Sequence, residues 1–415
     1  MTSRLTIALK HVRVPNRRIP TTIAKMSAAY LTRLKHLAMT ALRMMRNEES
    51  SNRRPSLGRV LSRSLLLLLN IAAIALLFAG AVSCYISPAR FTTVFAFLGL
   101  LFPVWLVLNI IFCLVWLFCL RWYFLLSLAA MALCYPQVKN TCTLFPDVQQ
   151  HKFDKHTLSV MTYNVAAFDK YDKNTPTLEY IRSRNADVVC LQEFAVSDNS
   201  SYITETEILL ALKAYPYHFF TYSAEKAGRH FGVATFSKYP IINSKRISIS
   251  SKGNAAQYCD LNVDGDTVRV ICCHLESFSF NANDLSSLDK AQTNPNGDSF
   301  RQAGETMRTR MAPRIRVRAK QAEEIAKLRD ESPDKTIICG DFNDTPVSYT
   351  YHQIRKSLLD AHVEAERGFG NTYYHNGLGV RIDNILHTKE MHTSQFTTLR
   401  EGSSDHFPLL ATFTW

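Results

Sequence analysis

The apolar residues of this chain follow two different patterns. From Ser64 to Tyr135 they form nearly uninterrupted runs, broken only by short polar links. From about residue 157 onward, short apolar runs alternate with polar segments and turn residues. Long apolar runs are typical of membrane helices, and short runs bounded by turn residues are typical of strands in a globular domain. The pattern therefore predicts a membrane region (64–136), a linker (137–156) and one large α/β domain (157–415).

Three apolar segments make up the predicted membrane region. Ser64 to about Ile86 carries no charge and holds about 20 apolar residues, enough to span a bilayer. Phe91–Leu120 is a second run, and Trp122–Tyr135 is a third of about 14 residues, which is marginal for a span. A cleaved signal peptide does not fit, because the first run is too long and more apolar sequence follows it. We interpret the three segments as three membrane helices.

Positive charge is concentrated before the first apolar segment. Of the 48 basic and 35 acidic residues, 14 and 2 lie in residues 1–63, so this segment carries +12 and the rest of the chain +1. We interpret residues 1–63 as a basic cytosolic tail that is either disordered or shorter, if translation starts at a later methionine. Three crossings would then place residues 157–415 outside the cytosol, on an inner (cytoplasmic) membrane. If the third segment only dips into the bilayer, this domain would instead be cytosolic.

The charge and the cysteines narrow the classes of function. A globular part with a net charge of +1 has no overall nucleic-acid-binding signature. The ten cysteines contain no Cys-x-x-Cys pair and no Cys/His zinc spacing. Most of them lie in apolar patterns, where cysteine usually acts as a small buried hydrophobe. A zinc module and a disulfide scaffold are therefore not indicated.

Strands and helices alternate in the predicted α/β domain. Amphipathic or polar helical patterns are found at residues 176–184, 205–214 and 314–329. Strand patterns lie at residues 158–165, 187–193, 232–237, 241–250, 257–263, 267–274, 336–341 and 380–386. The turn Asp264-Gly265-Asp266 predicts a hairpin. The polar stretch from Phe278 to Gly304 lacks periodicity and is predicted to be a mobile loop near the functional site.

Polar side chains accompany the ends of six of these segments. The clearest case is Thr336–Pro346, in which a buried strand ends in Gly340-Asp341-Phe342-Asn343. In α/β sheets, functional sites are built from residues just past strand ends. The six sets of polar residues are Asn164, Gln192-Glu193, His274, Asp341 with Asn343, Asp383, and Asp405-His406.

The motifs that carry these residues resemble, in their order, the endonuclease/exonuclease/phosphatase family of DNase I-like phosphoesterases. They are Tyr-Asn-Val, Leu-Gln-Glu, His-Leu, Gly-Asp-Phe-Asn, Arg-Ile-Asp and Ser-Asp-His-Phe-Pro, between Tyr163 and Pro408. The resemblance covers residues 158–415, and the amino-terminal helices look like those of membrane-anchored bacterial members. It implies an α/β (α+β) four-layer sandwich of two packed, mainly antiparallel sheets flanked by helices. It also implies a hydrolase that acts on phosphate esters.

Phosphate-ester hydrolysis explains why the site would need these residue types. A hard divalent cation held by carboxylate and amide oxygens delivers water to the phosphate and stabilises charge on the leaving oxygen. We expect Mg²⁺, with Mn²⁺ as the alternative, bound by Glu193 and Asn164. Asp405 is expected to lie near the metal or its waters.

The remaining catalytic roles follow from the resemblance and from side-chain chemistry. His406 is the candidate general base or phosphate-polarising group, and the family pattern assigns the orientation of its ring to Asp383. Asp341 would orient the attacking water, Asn343 would donate to the phosphoryl oxygens, and His274 would bind the phosphate.

Two positions depart from the family pattern. Many nuclease members carry an acid or an amide two residues after the first asparagine, but this chain has Ala166, which weakens the case for a second metal. His274 stands where abasic-site nucleases usually have tyrosine, which makes this chain less similar to DNA-repair enzymes. Sphingomyelinase-like, phosphoinositide-phosphatase-like and DNase-like activities stay open.

Several functions remain possible for a protein of this organisation. The favoured one is a membrane-anchored phosphoesterase that acts on a phospholipid or a related headgroup, with the lipid bilayer as its partner. A surface-tethered endonuclease or exonuclease is the alternative. An inactive binding module and a transporter-like protein are less favoured. The basic residues from Arg308 to Lys320 either contact phosphates or form a solvated helix face. Nothing in the sequence indicates the oligomeric state.

Overall fold

The computed structural model describes residues 57–146, 155–171, 176–249, 251, 253–278, 280, 282–375, 378–402 and 404–415. Most of the predicted basic tail and residues 147–154 of the predicted linker lie outside the described residues. The described residues form two compact units, one of residues 57–69 and 111–126 and the other of residues 70–110 and 127–415. In the first unit, Arg63 Nη2 donates a hydrogen bond to the Tyr123 hydroxyl at 2.7 Å.

In the described part of the chain, five helices precede the α/β domain. They are α1 (Leu57–Val82), α2 (Val94–Leu100), α3 (Phe102–Phe118), α4 (Phe124–Leu133) and α5 (Tyr135–Thr141). A short 3₁₀ turn, Ser83–Tyr85, extends α1, and this 29-residue stretch is long and apolar enough to cross a membrane. Helices α2 and α3 are long and apolar enough to cross a membrane only when they are taken together, and they are bent by 59° where they meet.

The structure divides the predicted membrane segments more finely than the sequence did. Among the described residues, one helix has the length and composition of a membrane span. The number of candidate spans rises to two if the bent pair of α2 and α3 is taken as a single span. The predicted third segment contains α4, which is only 10 residues long, followed by α5. A span needs about 20 residues. Three crossings therefore remain a prediction.

Two six-stranded sheets form the centre of the α/β domain. The first has the order β13-β14-β1-β2-β4-β3 and the second β5-β6-β7-β8-β12-β9, and each contains one parallel pair, β1/β2 and β7/β8 respectively. A separate small hairpin joins β10 to β11. The strands are β1 Thr157–Asn164, β2 Val188–Ser197, β3 Tyr217–Glu225, β4 Arg229–Ser237, β5 Ile241–Ile247, β6 Ala256–Val263, β7 Asp266–His274, β8 Thr336–Asp341, β9 Leu359–Asp360, β10 Tyr373–His375, β11 Leu378–Val380, β12 Asp383–His387, β13 His392–Thr398 and β14 Leu409–Thr414.

Helices cover the outer face of each sheet. Those on the first sheet are α6 Ala166–Tyr171, α7 Pro176–Arg184 and α8 Glu205–Ala211, and those on the second are α11 Ala312–Asp330 and α12 Tyr349–Arg355. The domain also contains α9 Ala282–Thr293, α10 Gly297–Thr306 and α13 Ala361–Ala365. Strand β1 shows how the layers arise, because its side chains alternate between the two faces of the sheet. Leu158 and Val160 belong to the core that also holds residues of β6, β7 and β8. Met161 and Tyr163 belong to a second core with residues of α7 and α8.

A third core completes the layering on the other side. There, Ile271 and Ile338 of the second sheet pack with Ile325 of α11 and Ile354 of α12. The molecule therefore has the order helices, sheet, sheet, helices, with four of the five pairings in each six-stranded sheet antiparallel. The predicted four-layer sandwich is confirmed.

Two local predictions were wrong. The polar stretch predicted as a loop contains α9 and α10, and hydrogen bonds fix the start of α10. Asn296 caps α10 in a reciprocal pair with Ser299, and Ser287 of α9 contacts Thr306 of α10 at 2.8 Å. The second error concerns β2, which does not end at Glu193 but continues to Ser197.

Candidate active site

Strand register brings the predicted polar residues into neighbouring positions. In the first sheet, Asn164 ends β1 and pairs with Gln192 of β2. In the second sheet, Asp341 ends β8 and pairs with His274 of β7 on one side and with Asp383 of β12 on the other. Since the two sheets pack face to face, these positions lie at one edge of the sandwich.

Glu193 occupies a β-bulge in the middle of β2. Gln192 pairs with Val233 and Phe194 pairs with Gly232, so Glu193 has no partner on β4. Its backbone φ is +49°, a conformation that costs about 1–3 kcal/mol for a residue other than glycine. Bulges redirect side chains, and here the carboxylate is 44% exposed with Oε1 at 3.3 Å from Asn164 Nδ2.

Gly340 allows β8 to approach β7 closely. Its φ is +132°, and a Cβ at this position would lie 1.9 Å from the carbonyl oxygen of Cys273. No side chain fits there, so this glycine is required for the strand pairing that carries Asp341 to the site.

Asp341 lies at the centre of the hydrogen bonds in the site. Its Oδ2 accepts hydrogen bonds from Asn164 Nδ2 and from Asn343 Nδ2, both at 3.1 Å, and its Oδ1 accepts from the Asn343 backbone N–H at 2.7 Å. Burial raises the pKa of the Asp341 carboxyl to about 6, and the charge of Asp383 adds to the rise, while His406 and His274 oppose it. Asp341 therefore connects residues from both sheets.

His406 and Asp383 form a buried pair beside Asp341. His406 Nδ1 lies 2.9 Å from Asp383 Oδ2, and its other ring nitrogen, Nε2, lies 3.9 Å from Asp341 Oδ2. Burial alone would lower the pKa of His406, but the charge and hydrogen bond of Asp383, together with Asp341 and Asp405, raise it to about 10. The imidazole is therefore held in its protonated form near neutral pH, with Nε2 facing Asp341.

His274 presents a buried nitrogen between two carboxylates. Its Nε2 lies 3.9 Å from Glu193 Oε1 and 3.9 Å from Asp341 Oδ2. Within the described residues this atom has no hydrogen-bond partner. A buried polar atom without a partner is costly, so a water, an ion ligand or a substrate oxygen is expected there.

Asn343 and Asp405 lie close in sequence to Asp341 and His406, respectively. Asn343, with a φ of +53°, donates from Nδ2 to the carbonyl oxygen of Leu275 at 3.0 Å, which joins the loop after β8 to the end of β7. Asp405 is exposed, and its Oδ1 lies 3.3 Å from Ser404 Oγ. Its predicted role near the metal stays a prediction.

The donor set fits a hard divalent cation. Asp341, Asp383 and His406 offer ligand atoms within 4.8 Å of one another, but Asp383 and His406 already satisfy each other. The Glu193 carboxylate, 44% exposed, provides oxygen ligands that are open to solvent, and the buried Asn164 and Asp341 lie next to it. Asn164 donates from Nδ2 to both carboxylates, and its Oδ1 accepts from the Ala166 backbone N–H. Few protein oxygens plus several waters is the arrangement that Mg²⁺ prefers.

The sequence analysis did not predict two residues that contact the His406–Asp383 pair. The Tyr373 ring lies 5.0 Å from the His406 ring, and the two residues form a backbone bridge. The Thr372 hydroxyl accepts the backbone N–H of Asp383 at 3.1 Å. The alternation from Thr372 to Tyr374 is a short strand pattern that could have indicated them.

Two of the six basic residues from Arg308 to Lys320 are engaged within the protein, and the other four are exposed. Arg318 is fully buried, and its Nε donates to Asp344 Oδ2 at 3.1 Å. Arg314 pairs with Glu276 at 3.0 Å. These two residues therefore form neither a free phosphate-binding patch nor a solvated face, and both earlier interpretations were wrong for them.

Comparisons with known proteins agree with this geometry. The model of the Endonuclease/Exonuclease/phosphatase family matches residues 161–406. A Domain of unknown function (DUF8431) matches residues 63–141. A comparison with curated proteins gave no match.

Several solved structures are similar to this chain at low sequence identity. An endonuclease/exonuclease/phosphatase from Beutenbergia cavernae is 16% identical, with 63% of this chain and 72% of that chain covered and a TM-score of 0.44. Sphingomyelinase C from Streptomyces griseocarneus is 20% identical, with coverages of 62% and 99% and a TM-score of 0.40. The human Nocturnin catalytic domain is 18% identical, with coverages of 63% and 96% and a TM-score of 0.42.

The family match covers more than half of the chain and spans the residues assembled above. The chain belongs to the endonuclease/exonuclease/phosphatase family. Members of this family are divalent-metal-dependent hydrolases that act on phosphodiester bonds.

Proposed function

We propose that this protein is a membrane-anchored, Mg²⁺-dependent phosphoesterase that hydrolyses a phosphodiester of a membrane phospholipid or a related headgroup. The observation that supports it most is the convergence on Asp341 of Asn164 at 3.1 Å and His406 at 3.9 Å, with Glu193 next to Asn164. Metal-ligand oxygens and a protonated imidazole thus face the same small volume. Oxygen ligands can hold the divalent cation that assists attack on a phosphate ester, and an imidazole next to them can act as its acid–base group.

Glu193 and Asn164 would hold the cation, which supplies Lewis-acid stabilisation of charge on the phosphate oxygens. Asp341, whose Oδ2 accepts from both Asn164 and Asn343, would orient a water and accept its proton. A carboxyl with a raised pKa is suited to that task near neutral pH.

His406 and His274 would act on the phosphate. The raised pKa of His406 favours the phosphate-polarising role over the general-base role, because a protonated imidazole donates and cannot accept a proton. His274 Nε2, which has no partner within the described residues, is placed to contact a phosphoryl oxygen. Asn343 holds the loop in place and adds a second amide near the same oxygens.

The membrane placement follows from the apolar helices. Between Ser64 and Leu120 the only charged residue is Arg90, and the leucines of α1 are largely exposed. We propose residues 64–136 as the membrane region, 137–156 as the linker and 157–415 as the catalytic domain, located outside the cytosol. Tethering to the bilayer brings the site to lipid headgroups.

A substrate screen on the purified full-length protein in nanodiscs tests the proposal. The substrates are a phospholipid diester, single-stranded DNA and a phosphomonoester, each with Mg²⁺, Mn²⁺ or EDTA. We expect EDTA-sensitive hydrolysis of the phospholipid diester, reduced about 10²-fold or more in Glu193→Gln and His406→Asn. Glu225→Gln, an exposed acid on β3, is the matched control. Preferred cleavage of DNA would support the nuclease alternative, and no hydrolysis of any substrate would support an inactive binding module.

A further inference from the structure

We infer that the amino-terminal helical segment (residues 70–110 and 127–143) positions the catalytic loop, in addition to anchoring the protein. The catalytic loop is defined here as residues 341–347, from Asp341 to Val347. This inference rests on the proposed function of the site. It gives a role to the region that matches the domain of unknown function.

The first contact is at the end of the catalytic loop. Val347 is 2% exposed and belongs to a buried cluster whose other members all come from the helical segment. These are Leu77, Ala81, Phe102, Leu106, Ala130 and Cys134. Ser83 Oγ lies 3.3 Å from the Val347 carbonyl oxygen. The loop therefore ends inside the core of the helices.

Gly99 of α2 makes this contact possible. A Cβ at Gly99 would lie 2.2 Å from Ser83 Oγ and 3.3 Å from the Val347 carbonyl oxygen. The absence of a side chain thus lets α2 pack directly against both partners. The fit is that of a specific interface and not of a flexible tether.

A second contact holds the segment before Asp383. Arg381 is 4% exposed, and its Nη2 donates to the backbone carbonyl oxygen of Asn140 at 2.9 Å. The Asn140 side chain accepts from Arg355 of α12 at 2.7 Å. Next to it, Thr143 and Gly368 exchange two backbone hydrogen bonds of 2.9 and 2.8 Å.

Both contacts with the helical segment lie only a few residues in sequence from residues of the site. Only three residues separate Asn343 from Val347, and one residue separates Arg381 from Asp383. The Phe342 N–H donates to the Ile382 carbonyl oxygen at 2.9 Å, so the two contacted segments are also bonded to each other. A shift of the helices would therefore displace Asp341, Asn343 and Asp383 together. Misplacement by about 1 Å can cost about 10²-fold in rate.

The test removes packing on the helix side, away from every catalytic residue. Leu77→Ala opens the cluster around Val347, and Leu158→Ala removes the same atoms from a fully buried leucine at the far end of β1. Both full-length variants are studied in nanodiscs by hydrogen–deuterium exchange and by kinetics. Ser83→Ala is the milder variant if Leu77→Ala does not fold.

We expect Leu77→Ala to increase amide exchange across residues 342–348 and to lower kcat about tenfold or more with KM changed less than twofold. Leu158→Ala should leave both readouts within twofold of wild type despite a similar loss of thermal stability. Equal exchange in the catalytic loop of the two variants would overturn the inference. The exchange readout decides the positioning role even if wild type hydrolyses no phosphate ester, an outcome that would refute only the proposed function.

Discussion

Asn164 and Asp341 are joined by a hydrogen bond of 3.1 Å, although they end strands in different sheets. Asn164 also lies 3.3 Å from Glu193, and Asp341 lies 3.9 Å from His406. One amide thus links the proposed metal-binding side of the site to the imidazole side. The geometry of the site therefore depends on how the two sheets pack against each other.

The pH dependence of activity should reflect the Asp383–His406 pair. Because Asp383 raises the pKa of His406, the protonated ring persists through neutral pH and is lost only as the pH approaches about 10. In Asp383→Asn the alkaline limb of kcat/KM should move down toward the ordinary histidine range near 6.5. Rate profiles between pH 5 and 10.5 measure this shift.

Asp405→Asn is the control for the pH experiment. Asp405 contributes to the raised pKa of His406, but it is exposed and is the weakest of the contributors. Its removal should move the alkaline limb much less than Asp383→Asn does. Equal shifts in the two variants would contradict the assignment of Asp383 as the partner of the ring.

Gly340→Ala should destabilise the protein by more than about 3 kcal/mol, because a methyl group would collide with the Cys273 carbonyl oxygen in a backbone conformation unfavourable to alanine. Chemical denaturation of the full-length protein measures the loss. Gly304→Ala in α10, with no atom within 4 Å of the added methyl, should be neutral or slightly stabilising. Similar unfolding free energies for the two variants would contradict the close approach of β7 and β8.

Asp360 should contribute pH-dependent stability. Burial would raise its pKa, but Arg381 at 3.0 Å, with His362, Arg355 and the Tyr351 hydroxyl, outweighs burial and lowers the pKa to about 2. The stabilisation is complete above the unfolded-state pKa near 4 and is lost as the pH falls toward 2; for a shift of this size it amounts to about 2–3 kcal/mol.

Asp360→Asn tests this pair by thermal denaturation. Leaving Arg381 buried without its partner should cost about 3–5 kcal/mol at pH 7. The difference in Tm from wild type should shrink between pH 4 and pH 2.5. Asp198→Asn, which removes an exposed partner of His230, should change stability by less than about 1 kcal/mol. A Tm difference that stays constant with pH would contradict the lowered pKa.

Metal binding should be visible without any substrate. A ligand that binds only the folded protein stabilises it by about 2.7 kcal/mol at 100 times its Kd. Mg²⁺ should therefore raise the Tm of wild type, and Glu193→Gln should remove most of this rise. Glu225→Gln should respond to Mg²⁺ as wild type does. An equal rise in all three proteins would place the ion elsewhere.

The sequence predicted the parts of the fold that depend on local patterns. The alternation along β1 and the turn at Asp264-Gly265 gave the strands and the hairpin of the structure, and the order of motifs gave the family. It could not reveal the bulge at Glu193, because the predicted strand ends there and the bulge is defined by the pairing of β2 with β4. Nor did the polar composition reveal α9 and α10, the second of which begins at a hydrogen-bonded cap between Asn296 and Ser299.

Contacts between distant segments were equally hidden from sequence reasoning. The run from Arg308 to Lys320 looks like one basic surface, but two of its members, Arg314 and Arg318, pair with Glu276 and Asp344. Val347 looks like an ordinary loop residue, although it is buried among the amino-terminal helices. Pairing of this kind depends on tertiary structure, which periodicity does not encode.

The rate of phospholipid-diester hydrolysis as a function of Mg²⁺ concentration tests the central claim most directly. Wild type should show saturable dependence on Mg²⁺. Glu193→Gln should require at least about tenfold more Mg²⁺, and His406→Asn should keep the wild-type requirement while losing about 10²-fold or more in kcat. Hydrolysis that is insensitive to EDTA, or an unchanged Mg²⁺ requirement in Glu193→Gln, would contradict a site in which Glu193 holds the ion and His406 acts on the phosphate.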